Sequence, residues 1–102
     1  MPEKDFIIWL DERTYIAVDF VTVRGRMVSF VIRLMLIEPR AEVNVARYDT
    51  AHGVPHRDEH GKRSGLLLKT WFPGQSPETV LEEAIKDFKQ NYESYLERFA
   101  RH

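Results

Sequence analysis

Residues 14–37 read TYIAVDFVTV, RGR and MVSFVIRLMLI in succession. In the first of these segments β-branched and aromatic side chains dominate, and apolar residues recur with the period of two that is typical of a β-strand. The Arg24-Gly25-Arg26 triplet forms a short turn, with a glycine that tolerates a positive φ. The stretch therefore predicts a β-hairpin between strands at residues 14–23 and 27–37.

The second strand of this hairpin carries apolar residues on both faces, which is typical of a strand in the centre of a sheet. Arg33 is the one charged residue of this predicted strand. Asp19 interrupts the first strand, and it either faces solvent or pairs with Arg33 across the hairpin. We expect such a pair to be a structural contact.

Three further segments are predicted to be strands. The first of them is ambiguous between a strand and a helical turn, and we favour the strand. The second follows Pro39, which ends the preceding strand because proline cannot donate to the ladder. The three segments are residues 5–10, 42–48 and 66–72. The sequence thus predicts an antiparallel meander of four or five strands.

A long helix is predicted over residues 77–100. Pro73-Gly74 breaks the preceding strand, Ser76 is a favourable N-cap, and Pro77 takes the first helical position. Apolar side chains recur in this segment at helical spacing and form one stripe, made up of Leu81, Ala84, Ile85, Phe88, Tyr92, Tyr95, Leu96 and Phe99. We therefore predict a single α+β domain over residues 1–102, with the helix packed on one face of the sheet.

The composition excludes several classes of site. The chain has no cysteine, which removes disulfides, thiol nucleophiles and thiolate metal sites. Its net charge of -1 argues against a general nucleic-acid binder. The start of the chain does not resemble a signal peptide, and the most apolar run, residues 27–37, is too short for a membrane helix. We expect a cytoplasmic protein that does not enter a membrane.

Residues 49–65 are predicted to be a long loop, and such loops tend to be functional or mobile. The loop holds His52, His56 and His60 at intervals of four. Gly53 and Pro55 disfavour a helix there, so the spacing by itself is weak evidence. The density of titratable groups is more informative, because the same region also holds Arg47, Asp49, Arg57, Asp58 and Glu59.

Three interpretations of this loop stay open. In the first, His52 and His56 act as general acid and base near neutral pH. Arg47 and Arg57 would then hold a phosphate and the charge of its transition state, as metal-independent phosphodiester cleavage requires.

The second interpretation is a site for zinc or manganese that uses His52, His56 or His60 with Asp49 or Asp58. The third is structural: the polar side chains cap turns and bond to backbone amides.

Residues 45–58 read VARYDTAHGVPHRD. This stretch resembles a pattern in small uncharacterised bacterial and archaeal proteins that have a β-meander, a His-Gly-x-x-His loop and a C-terminal helix. It is also loosely similar to the TumE-type toxins of toxin–antitoxin pairs, which share a strand-end Tyr-Asp and a following loop that contains histidine. The resemblance implies a shared site of Arg47, Tyr48, Asp49, His52, His56 and Arg57.

The leading functional hypothesis is a small cytoplasmic protein that acts on RNA or another phosphodiester. The similarity to toxins implies a metal-independent endoribonuclease with a cognate antitoxin as partner. Tyr48 and Asp49 would orient the histidines and arginines. The alternative is a non-enzymatic module that binds a partner protein through an exposed sheet edge or the helix end. A homodimer that covers an apolar sheet face is one form of this alternative.

Overall fold

The structure, a computed structural model, describes residues 3–102, and for His52 it describes the backbone alone. Six strands form one antiparallel sheet in which the order of the strands is their order along the chain. One long helix follows them. The elements are β1 (Glu3–Trp9), β2 (Thr14–Val23), β3 (Arg26–Glu38), β4 (Ala41–Asp49), β5 (His56–Gly61), β6 (Gly65–Trp71) and α1 (Pro77–Arg101), with a single 3-10 turn at Ala51–Gly53.

The predicted α+β class and the C-terminal helix are confirmed, but the count of four or five strands is wrong. The additional strand is β5, which lies inside the segment predicted to be a loop. It reads HRDEHG and therefore has no apolar alternation. Polar side chains on both of its faces are instead satisfied by ion pairs with neighbouring elements, so the hydrophobic pattern that reveals a strand is absent.

The hairpin of β2 and β3 has a two-residue turn. Both central residues have positive φ, 54° at Arg24 and 79° at Gly25. This is the pattern of a type I′ turn, whose twist matches that of the flanking strands. The turn and a register shift between Val21 and Thr22 together set the pairing of the two strands. This pairing places Arg33 opposite Ala17 and therefore on the same face as Asp19.

The helix packs on β3, β4 and β5 and covers one face of the sheet. Ser76 caps it as predicted, since its Oγ accepts from the backbone N–H of Thr79 at 3.2 Å. Four of the eight residues of the predicted stripe are buried in the core, and the other four are partly buried and pack against it. The fully buried side chains of the core come from both layers and include Ile16, Val18, Ile32, Leu34, Ala84 and Phe88.

The end of α1 is attached to the turn between β5 and β6. The backbone N–H groups of Arg63 and Ser64 donate to the backbone oxygen of His102 at 3.1 and 2.8 Å. Gly61 packs so closely there that an added Cβ would lie 2.7 Å from the Cβ of His102. A side chain at position 61 would therefore push the helix end away from the sheet.

The face of the sheet opposite α1 is called the open face below. Side chains alternate between the two faces along each strand. On the open face, the register brings Asp19, Val31, Asp49, His56 and Trp71 into one row across five strands. The neighbouring row consists of Ala17, Arg33, Arg47, Asp58 and Lys69. Charged side chains therefore cross the centre of a sheet whose other face carries the apolar core together with the polar side chains of Tyr48, Arg57 and Glu59.

No helix within residues 3–102 combines the length and the apolar character that crossing a membrane requires.

Candidate functional site

The sheet separates the residues of the predicted site. Because side chains alternate along a strand, neighbours in sequence on β4 and β5 point to opposite faces. Arg47, Asp49, His56 and Asp58 lie on the open face. Tyr48 and Arg57 lie on the face that α1 covers, where both contact Asp87.

His56 is the most buried titratable side chain of the open face, with 2% of it exposed. Its Nε2 lies 3.0 Å from Asp49 Oδ1 and 3.9 Å from Asp58 Oδ2. Its Nδ1 lies 3.1 Å from the carbonyl oxygen of Val54 and donates to it. Both ring nitrogens therefore lie within hydrogen-bonding distance of oxygen atoms of the protein.

Two cations complete this group. Arg47 Nε lies 2.8 Å from Asp49 Oδ2, and its Nη2 lies 3.3 Å from Asp58 Oδ2. Lys69 Nζ lies 3.4 Å from Asp58 Oδ1. Arg47, Asp49, His56, Asp58 and Lys69 are called the charged cluster below. Its two carboxylates are almost completely buried, whereas 38% of the Arg47 side chain is exposed. The cluster consequently presents a guanidinium, and not a carboxylate, to solvent.

Arg33 extends the cluster along the same row, directly opposite Arg47. Its Nη2 donates to Asp19 Oδ2 at 3.1 Å, which confirms the second of the two arrangements expected for Asp19. The Arg33 side chain is also partly exposed. Two like charges in directly opposite positions destabilise a sheet unless each is compensated, and here Asp19 compensates one while Asp49 and Asp58 compensate the other.

A cleft of about 460 Å³ borders the charged cluster. The residues that line it include Asp19, Val31, Arg47, Asp49 and Thr50. A small ligand in the cleft would therefore lie next to the guanidinium of Arg47 and the largely buried carboxylate of Asp49, which contacts His56.

Of the other two loop histidines, His60 lies outside the charged cluster, and for His52 only the position in the backbone is described. His52 lies in the 3-10 turn at Ala51–Gly53, and its predicted role stays a prediction. His60 is half-buried, and burial lowers its pKa, with Asp58 acting in the opposite direction. Its Nδ1 is buried and has no hydrogen-bond partner among the described residues.

The predicted metal alternative is only partly supported by the geometry. Asp49, His56 and Asp58 each offer one ligand atom, and these three atoms all lie within 4.8 Å of one another. The contact of His56 Nδ1 with a carbonyl is also common around metal-bound histidines. Both carboxylates, however, already contact Arg47 or Lys69, and these cations repel a metal ion. The three residues therefore fit a divalent ion poorly unless Arg47 moves away.

Tyr48 and Arg57 belong to a polar group beneath α1. The Tyr48 hydroxyl donates to Asp87 Oδ2 at 2.6 Å, and the Tyr95 hydroxyl donates to the same oxygen. Arg57 Nη1 donates to Tyr48 Oη at 3.2 Å, and Asn91 donates to Asp87 Oδ1 at 2.8 Å. These contacts connect the sheet to the helix. Tyr48 and Arg57, both predicted to be site residues, therefore lie between the sheet and α1.

Burial raises the pKa of Tyr48 to about 12, and the hydrogen bond to Asp87 acts in the same direction. The folded protein thus holds this proton more tightly than the unfolded chain, whose tyrosines titrate near 10. The stabilisation is complete below about pH 10 and is lost as the pH rises towards about 12.

We therefore expect the free energy of unfolding to fall between about pH 10 and about pH 12 in urea titrations. Tyr48→Phe is the control, and its unfolding free energy should fall less steeply over the same range. Equal slopes for the two proteins would contradict a protonated Tyr48 as a source of stability.

A family described as a domain of unknown function (DUF7718) matches residues 1–102. The chain belongs to this family. No curated protein and no solved structure shows a significant match to the chain. The description of the family names no activity.

Arg33 and Lys69 are the site residues that the sequence analysis did not include. The sequence predicts only a structural pair with Asp19 for Arg33, and it places Lys69 within the mainly apolar predicted strand at residues 66–72. Strand register identifies both: Arg33 lies opposite Arg47 in the pairing of β3 with β4, and Lys69 lies opposite Asp58 once β5 is recognised as a strand.

Proposed function

We propose that the chain acts on a phosphodiester, with RNA as the substrate class, in the cleft beside the charged cluster. The observation that carries this proposal is the partly exposed guanidinium of Arg47, which lies at the cleft next to the contact between Asp49 and His56. A planar guanidinium can donate two hydrogen bonds to a phosphate, and buried carboxylates hold this one in place.

The second phosphate ligand of this proposal is Arg33 and not Arg57. Arg33 lies opposite Arg47 on the open face, whereas Arg57 contacts Tyr48 and Asp87 beneath the helix. The Nε of Arg33 is buried and has no hydrogen-bond partner among the described residues, whereas the Nε of Arg47 lies 2.8 Å from Asp49 Oδ2. Two adjacent guanidiniums can stabilise the charge that develops on a phosphoryl group in the transition state.

His56 and Asp49 are the acid–base pair of the proposal. Asp49 orients the ring through Nε2, and the carbonyl of Val54 holds Nδ1. A carboxylate beside a ring nitrogen stabilises an imidazolium, but both ring nitrogens of His56 are engaged and only 2% of the residue is exposed. The proposal therefore requires Nε2 to move from Asp49 towards the cleft when it exchanges a proton with the substrate. His52 is proposed as the second acid–base group, because it lies in the turn that directly follows the Asp49 strand end.

The biological context of the proposal is a toxin–antitoxin pair. It rests on the similarity of residues 45–58 to TumE-type toxins, and the contact between Asp49 and His56 supports it because it joins two residues of that motif. The implied partner is an antitoxin protein that would inhibit the activity.

The test is cleavage of single-stranded RNA by the purified chain, together with inhibition of growth on expression. We expect Arg47→Gln to lower the cleavage rate about tenfold or more, because it removes a charged donor to the phosphate. Arg24→Gln is the matched control, since Arg24 is an exposed arginine of the β2–β3 turn and its loss changes the net charge equally.

Circular dichroism and thermal unfolding would establish that both variants fold. Equal cleavage rates for Arg47→Gln and the unaltered protein would refute the assignment of Arg47. If the unaltered chain binds RNA without cleaving it, the enzymatic part of the proposal is wrong.

A further inference from the structure

The cleft beside the charged cluster is lined by charges of both signs. Its charged residues are Glu3, Asp19, Arg47 and Asp49. The carboxylate of Asp49 is largely buried and already contacts Arg47 and His56. Asp19, in contrast, has 34% of its side chain exposed. The cleft therefore offers a ligand an accessible carboxylate on β2 and an accessible guanidinium on β4.

This distribution of charge limits the number of phosphates that the cleft can hold. Three carboxylates and one guanidinium line it, and a carboxylate repels a phosphate. A second phosphate in the cleft would lie beside Asp19 or Glu3 and not beside a lining cation. The cleft therefore suits a ligand with one phosphate at Arg47 and a neutral group that donates hydrogen bonds at Asp19. A single nucleotide unit has these two parts.

Arg33 holds the Asp19 carboxylate in place. The Nη2 of Arg33 donates to Asp19 Oδ2 at 3.1 Å, whereas Oδ1 accepts no hydrogen bond from the described residues. A carboxylate oxygen has two lone pairs, so Oδ2 can accept a second hydrogen bond. Asp19 consequently presents two acceptors side by side and no donor.

Guanine is the base whose edge matches two adjacent acceptors. Its ring N–H and its exocyclic amino group lie next to each other, and both donate. Adenine and cytosine each place an amino group beside a ring nitrogen that accepts, and uracil places its N–H between two carbonyl oxygens. An acceptor that faces a carboxylate oxygen is repelled. Proteins commonly recognise unpaired RNA bases through this edge, which a duplex conceals.

We propose that the cleft binds a guanosine nucleotide of single-stranded RNA, with its phosphate at Arg47 and the edge of its base at Asp19. This inference rests on the proposed function and gives it a base preference. The two residues lie on strands that are two spacings apart, roughly 10 Å across the sheet. Val31 lies between β2 and β4, directly opposite Asp19, and offers the nucleotide an apolar contact. The base and the phosphate would thus occupy opposite ends of the cleft.

The experiment is isothermal titration calorimetry of the full chain with guanosine, adenosine, cytidine, uridine and inosine monophosphates, each with its phosphate at the 3′ and at the 5′ position. We expect guanosine monophosphate to bind about tenfold or more tightly than uridine monophosphate, because it donates an additional hydrogen bond to a charged acceptor. Inosine monophosphate lacks only the amino group of guanosine monophosphate and should bind more weakly than it does. Equal affinities for all five, or no binding at about 10 mM, would overturn the inference.

Asp19→Asn tests the assignment of the carboxylate. The variant should lose the preference for guanosine monophosphate and keep its affinity for uridine monophosphate, because an amide has only one acceptor oxygen. Asp5→Asn is the matched control, since Asp5 is an exposed residue opposite Asp19 on β1 that does not line the cleft. It should retain the preference, and circular dichroism would establish that both variants fold. An unchanged preference in Asp19→Asn would overturn the inference.

Mapping the cleavage positions on a single-stranded RNA that contains all four bases separates this inference from the proposed function. Cleavage next to guanosine supports both. Cleavage without any base preference would overturn the inference and leave the proposed activity standing. Preferential binding of guanosine monophosphate without cleavage of RNA would support the inference as a binding site and refute the activity.

Discussion

Phe88→Ala is expected to lower the free energy of unfolding by about 3–5 kcal/mol. Phe88 is fully buried between the helix and the sheet. Its ring meets those of Tyr48 and Tyr95 edge to face, with centroid distances of 5.2 and 5.3 Å. The substitution removes the apolar burial of the ring and both aromatic contacts, and it leaves a cavity that the two tyrosines cannot fill.

Urea unfolding followed by circular dichroism measures this effect. Phe6→Ala is the control, because 43% of Phe6 is exposed at the sheet edge and its loss should cost much less. Domains of this size are stable by about 5–15 kcal/mol, so Phe88→Ala removes a large share of the total. A loss below about 1.5 kcal/mol would show that the interface between helix and sheet is not the main core.

Asp87→Leu is expected to destabilise the fold by about 3 kcal/mol, because two buried hydroxyl groups lose their acceptor. Tyr48 and Tyr95 both donate to Asp87 Oδ2, and neither side chain is more than 4% exposed. An unsatisfied buried donor costs more than the net contribution of the hydrogen bond that it has lost.

A mutant cycle measured by urea unfolding separates this cost from other effects of the substitution. Adding Tyr48→Phe and Tyr95→Phe to Asp87→Leu should recover part of the loss, since no hydroxyl is then left without a partner. Glu93→Leu, on the exposed side of the same helix, is the control for a general effect of leucine. The tyrosine substitutions would destabilise Asp87→Leu and the unaltered protein equally if the hydroxyl groups and Asp87 contributed to stability independently. That result would contradict the expected energetic coupling between Asp87 and the two tyrosines.

The first hairpin and the helix are predictable because local signals determine them. Period-two alternation, a turn with glycine, and a serine cap followed by proline at the first helical position all act within a few residues. β5 has no such signal. The strand is stabilised by ion pairs and hydrogen bonds between its side chains and residues far away in the sequence. One of them is Arg98, which donates to Glu59.

The composition of the candidate site was only partly predictable for the same reason. The contact of Asp49 with His56 joins two predicted residues. The separation of Tyr48 and Arg57 from them follows from strand alternation, but only after residues 56–61 are known to be a strand. Arg33 is brought next to Arg47 by the register of β3 and β4, which includes a bulge at Leu34/Met35 and therefore cannot be counted from the sequence.

The simple order of the strands has a consequence for the rate at which the protein folds. Every strand pairs with its neighbour in the chain, so each pairing closes only a short loop and loses little chain entropy. Sheets whose pairings connect distant segments fold more slowly at similar stability. This sheet can therefore form by adding one hairpin after another, and the helix, which is the last element of the chain, can dock on a surface that is already assembled.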